Sequence, residues 1–336
     1  MPSSGTIFSE GGPMLPNTPQ PLFVHGVQKT GTSTLVGMLN SHPQVFLLYE
    51  TRMDKSVISK YGNQILAQLP EARKFFRNSL NIGEPYLNFA SLLAEHNPKA
   101  HYRYIGDKII SLDPQETQRT IPHKVIYVLR DVRTWLCKEQ IVRYYRTDLD
   151  VVPPAIDYLR YVIGSFQSPN ALHIRLEDVI LHNTDVFSQL SDFLGLDFSG
   201  YSDQYWKGVG QYEENDPKSY VRWFAGHPSS KVKPTGLDTQ VEPLSHPFWQ
   251  EYLPLFDKYF EAKSTAAFSL SDMNDDLCKL DTLMNYSPLP LEQCYKNIST
   301  KRLGLQRKSG ILAGIRVALT GYPQLRSLLK KVLRRV

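Results

Sequence analysis

A chain of 336 residues, 41% hydrophobic and 21% charged, is long enough to bury a full core, and the balance excludes a disordered or low-complexity protein. The net charge of +5 is uneven: residues 301–336 hold ten Lys and Arg and no Asp or Glu, which leaves −5 for residues 1–300. A mildly acidic body argues against nucleic-acid binding and points to an anionic partner for the tail alone.

Residues 1–20 are rich in Pro, Gly and Ser and read as a flexible leader, without the basic and apolar regions of a signal peptide. Residues 21–300 read as one α/β domain and residues 301–336 as a basic amphipathic helical tail. Leu22 to Val24 begins a short apolar strand that runs into a loop, His25 to Gly31. A helix with Leu35, Met38 and Leu39 on one face follows and ends before Pro43. Val45 to Leu48 is a second strand, residues 54–100 are mostly helical, and Tyr104 to Ile110 is a third strand. Val125 to Leu129 is a continuous apolar run, as expected of a parallel strand covered on both faces. Ala171 to Leu176 gives another strand, ending in Glu177-Asp178. The helix after it carries Phe187, Leu190, Phe193 and Leu194 and stops at Gly195. Strands alternating with helices imply βαβ units and a mainly parallel central sheet flanked by helices. Ligands of such sheets bind beyond the carboxyl ends of the strands, where both the 25–34 loop and Arg130 fall.

No stretch approaches the roughly 20 apolar residues of a membrane span. The cysteines, Cys137, Cys278 and Cys294, lack metal-ligand spacing and suit a reducing compartment. A cytoplasmic protein is therefore expected. In the tail, Leu325, Leu328, Leu329, Val332, Leu333 and Val336 share one face and five Lys and Arg the other. Residues 311–336 would thus lie on an anionic membrane surface or dock on the acidic body.

Gly26-Val-Gln-Lys-Thr-Gly-Thr-Ser-Thr34 sits between strand and helix, where backbone N–H groups and the helix dipole make an anion site. It nearly matches the triphosphate loop GxxxxGK[ST], but Thr32 stands where that pattern needs Lys. No acidic magnesium ligand stands out at a strand end, so ATP hydrolysis is disfavoured. Glu50, some twenty residues on, could take a proton from an acceptor, or could be a solvated partner of Arg52. Arg130 has a guanidinium suited to a phosphate dianion, or could pair with Asp131 or Glu177. Trp206, Tyr212, Tyr220 and Trp223 could line an acceptor cleft or belong to the core.

Lys29-Thr-Gly-Thr-Ser resembles the 5′-phosphosulfate loop of the sulfotransferases. His42-Pro43 resembles the family's His-Pro segment, and Glu50-Thr-Arg52 resembles its tyrosylprotein branch, in which the Glu is the base. Val128-Leu-Arg130 to Lys138 resembles the family's 3′-phosphate segment, although Lys138 replaces its Ser. Gly106-Asp-Lys108, Leu176-Glu-Asp and Phe193-Leu-Gly-Leu196 add weaker similarities in the right order, so that residues 22–198 are covered. The resemblance implies a P-loop-like sulfotransferase fold. It also implies transfer of a sulfuryl group from 3′-phosphoadenosine 5′-phosphosulfate (PAPS), without a metal, to a hydroxyl or amine. The acceptor could be a glycan, lipid, small alcohol or tyrosine. By the same resemblance Glu50 is the base and Lys29 and Lys108 assist catalysis. Gln28, Lys29, Thr30, Gly31, Thr32, Ser33, Thr34, Arg130 and Lys138 hold the cofactor, joined by Lys231 and Lys233 in a basic loop, and Arg52 meets the substrate. A P-loop kinase and a non-catalytic scaffold acting through its tail are the rival readings.

Overall fold

The computed structural model describes residues 19–51, 86, 87, 89, 91, 101–118, 121–181, 183–199, 243–262 and 264–295. Five strands form its sheet: β1 (Gln20–Gly26), β2 (Val45–Tyr49), β3 (Tyr104–Ile110), β4 (Lys124–Leu129) and β5 (Ala171–Arg175), in the order β2-β3-β1-β4-β5. Every pairing is parallel. The interior residues of β1, β2 and β4 are buried without alternation, because both faces are covered. That pattern is what made them legible as short apolar runs.

From β1 the chain passes through α1 (Thr32–Asn40) to β2, two places to one side. From β4 it passes through α2 (Val132–Leu136), α3 (Glu139–Tyr145) and α4 (Val152–Ser165) to β5 on the other side. The loops leaving β1 and β4 therefore diverge, and the crevice between them is the switch point at which ligands of open α/β sheets bind. Gly26 and Val128 are paired at this edge.

Strand β5 ends at Arg175, and Leu176 opens α5 (Leu176–Leu181), so Glu177 and Asp178 sit in a first helical turn and not at a strand end. Acidic residues are favourable there against the helix dipole. The following helix, α6 (Asn183–Leu194), buries Val186, Phe187, Leu190 and Leu194 and ends at Gly195 with φ 61°, the left-handed stop that the sequence suggests. Two helices beyond residue 242, α7 (Pro247–Phe260) and α8 (Leu270–Leu283), pack on α4. The Tyr252 hydroxyl of α7 donates to the Ala155 carbonyl of α4 at 2.7 Å. Of the helical stretch expected over 54–100, Tyr86, Leu87, Phe89 and Ser91 are helical and the remainder lies outside the described residues. Arg52, Trp206, Tyr212, Tyr220, Trp223, Lys231, Lys233, the leader and the tail lie outside them too. No helix among the described residues is long and apolar enough to cross a membrane.

Candidate active site

The loop after β1 is shaped by two left-handed residues, Lys29 (φ 70°) and Gly31 (φ 100°). Glycine is needed at 31 twice over, since a Cβ there would also collide with the Leu176 side chain of α5. Thr30 is fully buried, and both its amide and its hydroxyl donate to the Val27 carbonyl, at 3.2 and 2.8 Å. It builds the turn from within. Thr32 is also buried, whereas Lys29 and Ser33 are exposed at the loop's outer edge and Gln28 and Thr34 are half-buried. Gly31 occupies the cap of α1 and offers no side chain to it, and the first turn holds no acidic residue. The leading amides of α1 thus keep the positive end of the helix open to an anion.

On the β3 side of the loop stands Lys108. Its ammonium forms an ion pair with Glu50 at 2.7 Å, donates to the Ser33 hydroxyl at 2.9 Å and lies 5.2 Å above the Tyr49 ring. The register explains the meeting: Tyr49 pairs with Lys108 across β2 and β3, so the next residue, Glu50, reaches the same edge. Its amide donates to the Lys108 carbonyl at 3.0 Å. The Lys108 side chain is 7% exposed and that of Glu50 38%, so the carboxylate opens toward solvent while its partner does not. Glu50, Lys108 and Ser33 form one connected chain from a carboxylate to the anion loop.

On the β4 side stands Arg130, 4% exposed, with burial lowering the pKa of its guanidinium from the usual value. Its Nη1 donates to the Lys29 carbonyl at 3.1 Å and its Nε to the Thr134 hydroxyl at 3.0 Å. Tyr158 of α4 grips its backbone from both sides: the hydroxyl accepts from the Arg130 amide and donates to its carbonyl, each at 2.8 Å. Burial pushes the Tyr158 phenol well above its ordinary value, so it stays protonated. Tyr158 stacks on Trp135 (centroids 4.5 Å apart), whose Nε1 donates to the Gln28 carbonyl at 2.8 Å. Two carbonyls of the loop are thereby tied to the β4 side.

Asp131, a partner considered for Arg130, is taken by Arg133, which also reaches Asp257 of α7 at 3.0 Å. Glu177 accepts from the Asp131 amide at 3.1 Å and adds a favourable charge interaction with Arg130. Lys138 is half-buried and starts α3 after the break at Cys137, with its amide donating to Trp135. The hydroxyl that the fold brings to Arg130 is that of Thr134, one helical turn along. Thr134, Trp135 and Tyr158 were missed by sequence reasoning. A Tyr in an apolar helix, 28 positions from Arg130, carries no local sign of its role.

A parallel sheet with a strand–loop–helix anion cradle at its switch point defines a P-loop-like α/β fold. A family model described as the sulfotransferase family matches residues 21–200, and the chain belongs to that family. It is similar to the sulfotransferase domain of the Synechococcus PCC 7002 olefin synthase (18% identity over 82% of this chain and 97% of that one, TM-score 0.40). It is also similar to the sulfotransferase STF9 from Mycobacterium avium (14%, 63% and 69%, 0.34). A third likeness is to a retinol dehydratase solved with androsterone and the inactive cofactor PAP (14%, 73% and 81%, 0.31). Comparison with curated protein sequences gives no match.

Proposed function

We propose that this sulfotransferase moves a sulfuryl group from PAPS to an acceptor hydroxyl or amine with Glu50 as the general base. The observation that carries the reading is the Glu50–Lys108–Ser33 chain, which places a half-exposed carboxylate beside the anion loop. PAPS supplies the activated sulfuryl group and departs as adenosine 3′,5′-bisphosphate.

The residues present fit such an anion: an uncapped helix N-terminus, an exposed Lys29 and a buried Arg130 bracket the loop. Glu50 removes the acceptor proton as the acceptor oxygen or nitrogen attacks sulfur. Lys29 and the leading amides of α1 stabilise the negative charge that gathers on the leaving phosphate. Lys108 holds the Glu50 carboxylate toward the loop and helps balance that charge. Arg130, with Thr134 beside it, binds the 3′-phosphate, its fork pre-set by the Lys29 carbonyl and the Thr134 hydroxyl. Lys138 adds a second positive charge near the same group.

Glu50→Gln tests the base. Release of adenosine 3′,5′-bisphosphate from PAPS is measured with water and with a panel of phenols, alcohols and amines. Turnover should fall by about 10²–10⁴-fold, with affinity for adenosine 3′,5′-bisphosphate nearly unchanged. A variant keeping about a third of wild-type turnover removes Glu50 from the mechanism, since loss of a general base costs far more.

A further inference from the structure

Glu50 has φ 52°, a left-handed conformation that a residue with a side chain adopts only when its surroundings hold it there. Its amide is fixed to the Lys108 carbonyl. On its other side, Thr51 is fully buried and donates twice to one oxygen of Asp107, from its amide at 2.8 Å and from its hydroxyl at 2.6 Å. The Tyr86 hydroxyl donates to the same oxygen at 3.3 Å.

Asp107 is itself fully buried, next to Lys108 on β3 and between Phe23 of β1 and Leu48 of β2 in the sheet register. A carboxylate at such a place is costly to bury, and the three hydrogen bonds to this oxygen offset part of that cost. Successive residues of a strand point to opposite faces. Lys108 therefore takes the Glu50 side chain while Asp107 takes the backbone just after it.

We infer that Asp107 and Thr51 are positioning residues for the catalytic carboxylate. They lock the turn after β2 in its left-handed form, and so aim Glu50 at the loop without touching cofactor or acceptor. This rests on the reading of Glu50 as the base. A displacement of the base by about an ångström is enough to slow transfer severely.

The test is turnover of PAPS, with water or the best acceptor of the panel, beside binding of adenosine 3′,5′-bisphosphate. Thr51→Val keeps the side-chain shape and removes the 2.6 Å bond. Turnover should fall about tenfold while affinity for the bisphosphate stays within about twofold, and Thr51→Ser should restore turnover. In a Glu50→Gln background, Thr51→Val should cost no more than about twofold further, because the pair acts only through Glu50. Asp107→Asn, which keeps the shape, should show the same split between turnover and binding. Wild-type turnover in Thr51→Val, an equal loss in the Glu50→Gln background, or bisphosphate affinity falling in step with turnover would overturn the inference. If Glu50→Gln itself turns over like wild type, the base reading fails first, and that result is distinct from the other three.

Discussion

Arg130 shows how much one side chain can be asked to do. Its Nε and Nη1 hold Thr134 and the Lys29 carbonyl at once, a geometry that a planar fork can meet and a single ammonium cannot. Arg130→Lys should therefore weaken binding of adenosine 3′,5′-bisphosphate by at least about tenfold, the scale of one charged hydrogen bond. Adenosine 5′-phosphosulfate, which lacks the 3′-phosphate, should be affected much less; calorimetric titration with both ligands separates the outcomes. Equal losses would mean that Arg130 serves the loop alone. Two histidines behave differently. His25 and His173 are buried beside Tyr161 and Ser165, and burial lowers each to about 3 from an ordinary 6.5. Each stays neutral in the fold but takes up a proton on unfolding below pH 6.5. Their stabilising contribution is thus complete above that pH and is lost as pH falls toward 3. Between pH 7 and 5 the loss should reach about 2 kcal/mol for each histidine. Urea unfolding at both pH values measures it, and His173→Gln should remove about half of the dependence.

At the scale of elements, the strands were legible because burial on both faces leaves plain apolar runs, and the loop because Lys29-Thr-Gly-Thr-Ser sits between a strand and a helix. Glu50 and Arg130 could be singled out from their positions relative to those runs, and Lys108 from the family resemblance of Gly106-Asp-Lys108. Their meeting could not, because it depends on Tyr49 pairing with Lys108. The start of α5 at Leu176 was missed for a related reason: an apolar residue after a strand reads as more strand. In the fold it packs instead beneath Gly31. The break between α2 and α3, and the Thr134 hydroxyl that accepts from Arg130 before it, have no local composition to announce them. Gly106 offers a sharp test of the β3 alignment, since any Cβ there would overlap the Leu22 carbonyl of β1. Gly106→Ala should cost at least about 3 kcal/mol, as overpacking against backbone does. It should also melt far below wild type in a thermal scan. An unchanged melting temperature would show that β1 and β3 are registered otherwise.

For the molecule as a whole, the order of strands divides the labour. Ser33 apart, the groups proposed to handle the acceptor proton stand at the end of β2 and on β3. Those proposed to hold the nucleotide end stand after β4, with β1 between the two sets. Helix α7, beyond the family-matched residues, supports the second set, through Asp257 to Arg133 and through the ring of Phe256 at 6.1 Å from Tyr158. Such a partition has a consequence for how the sequence can change. Losses in kcat/KM from Glu50→Gln and Arg130→Lys should multiply as independent factors, because the two side chains follow different strands, on opposite sides of β1. A lineage could then exchange one acceptor for another by altering what surrounds β2 and β3, and inherit its grip on the nucleotide intact.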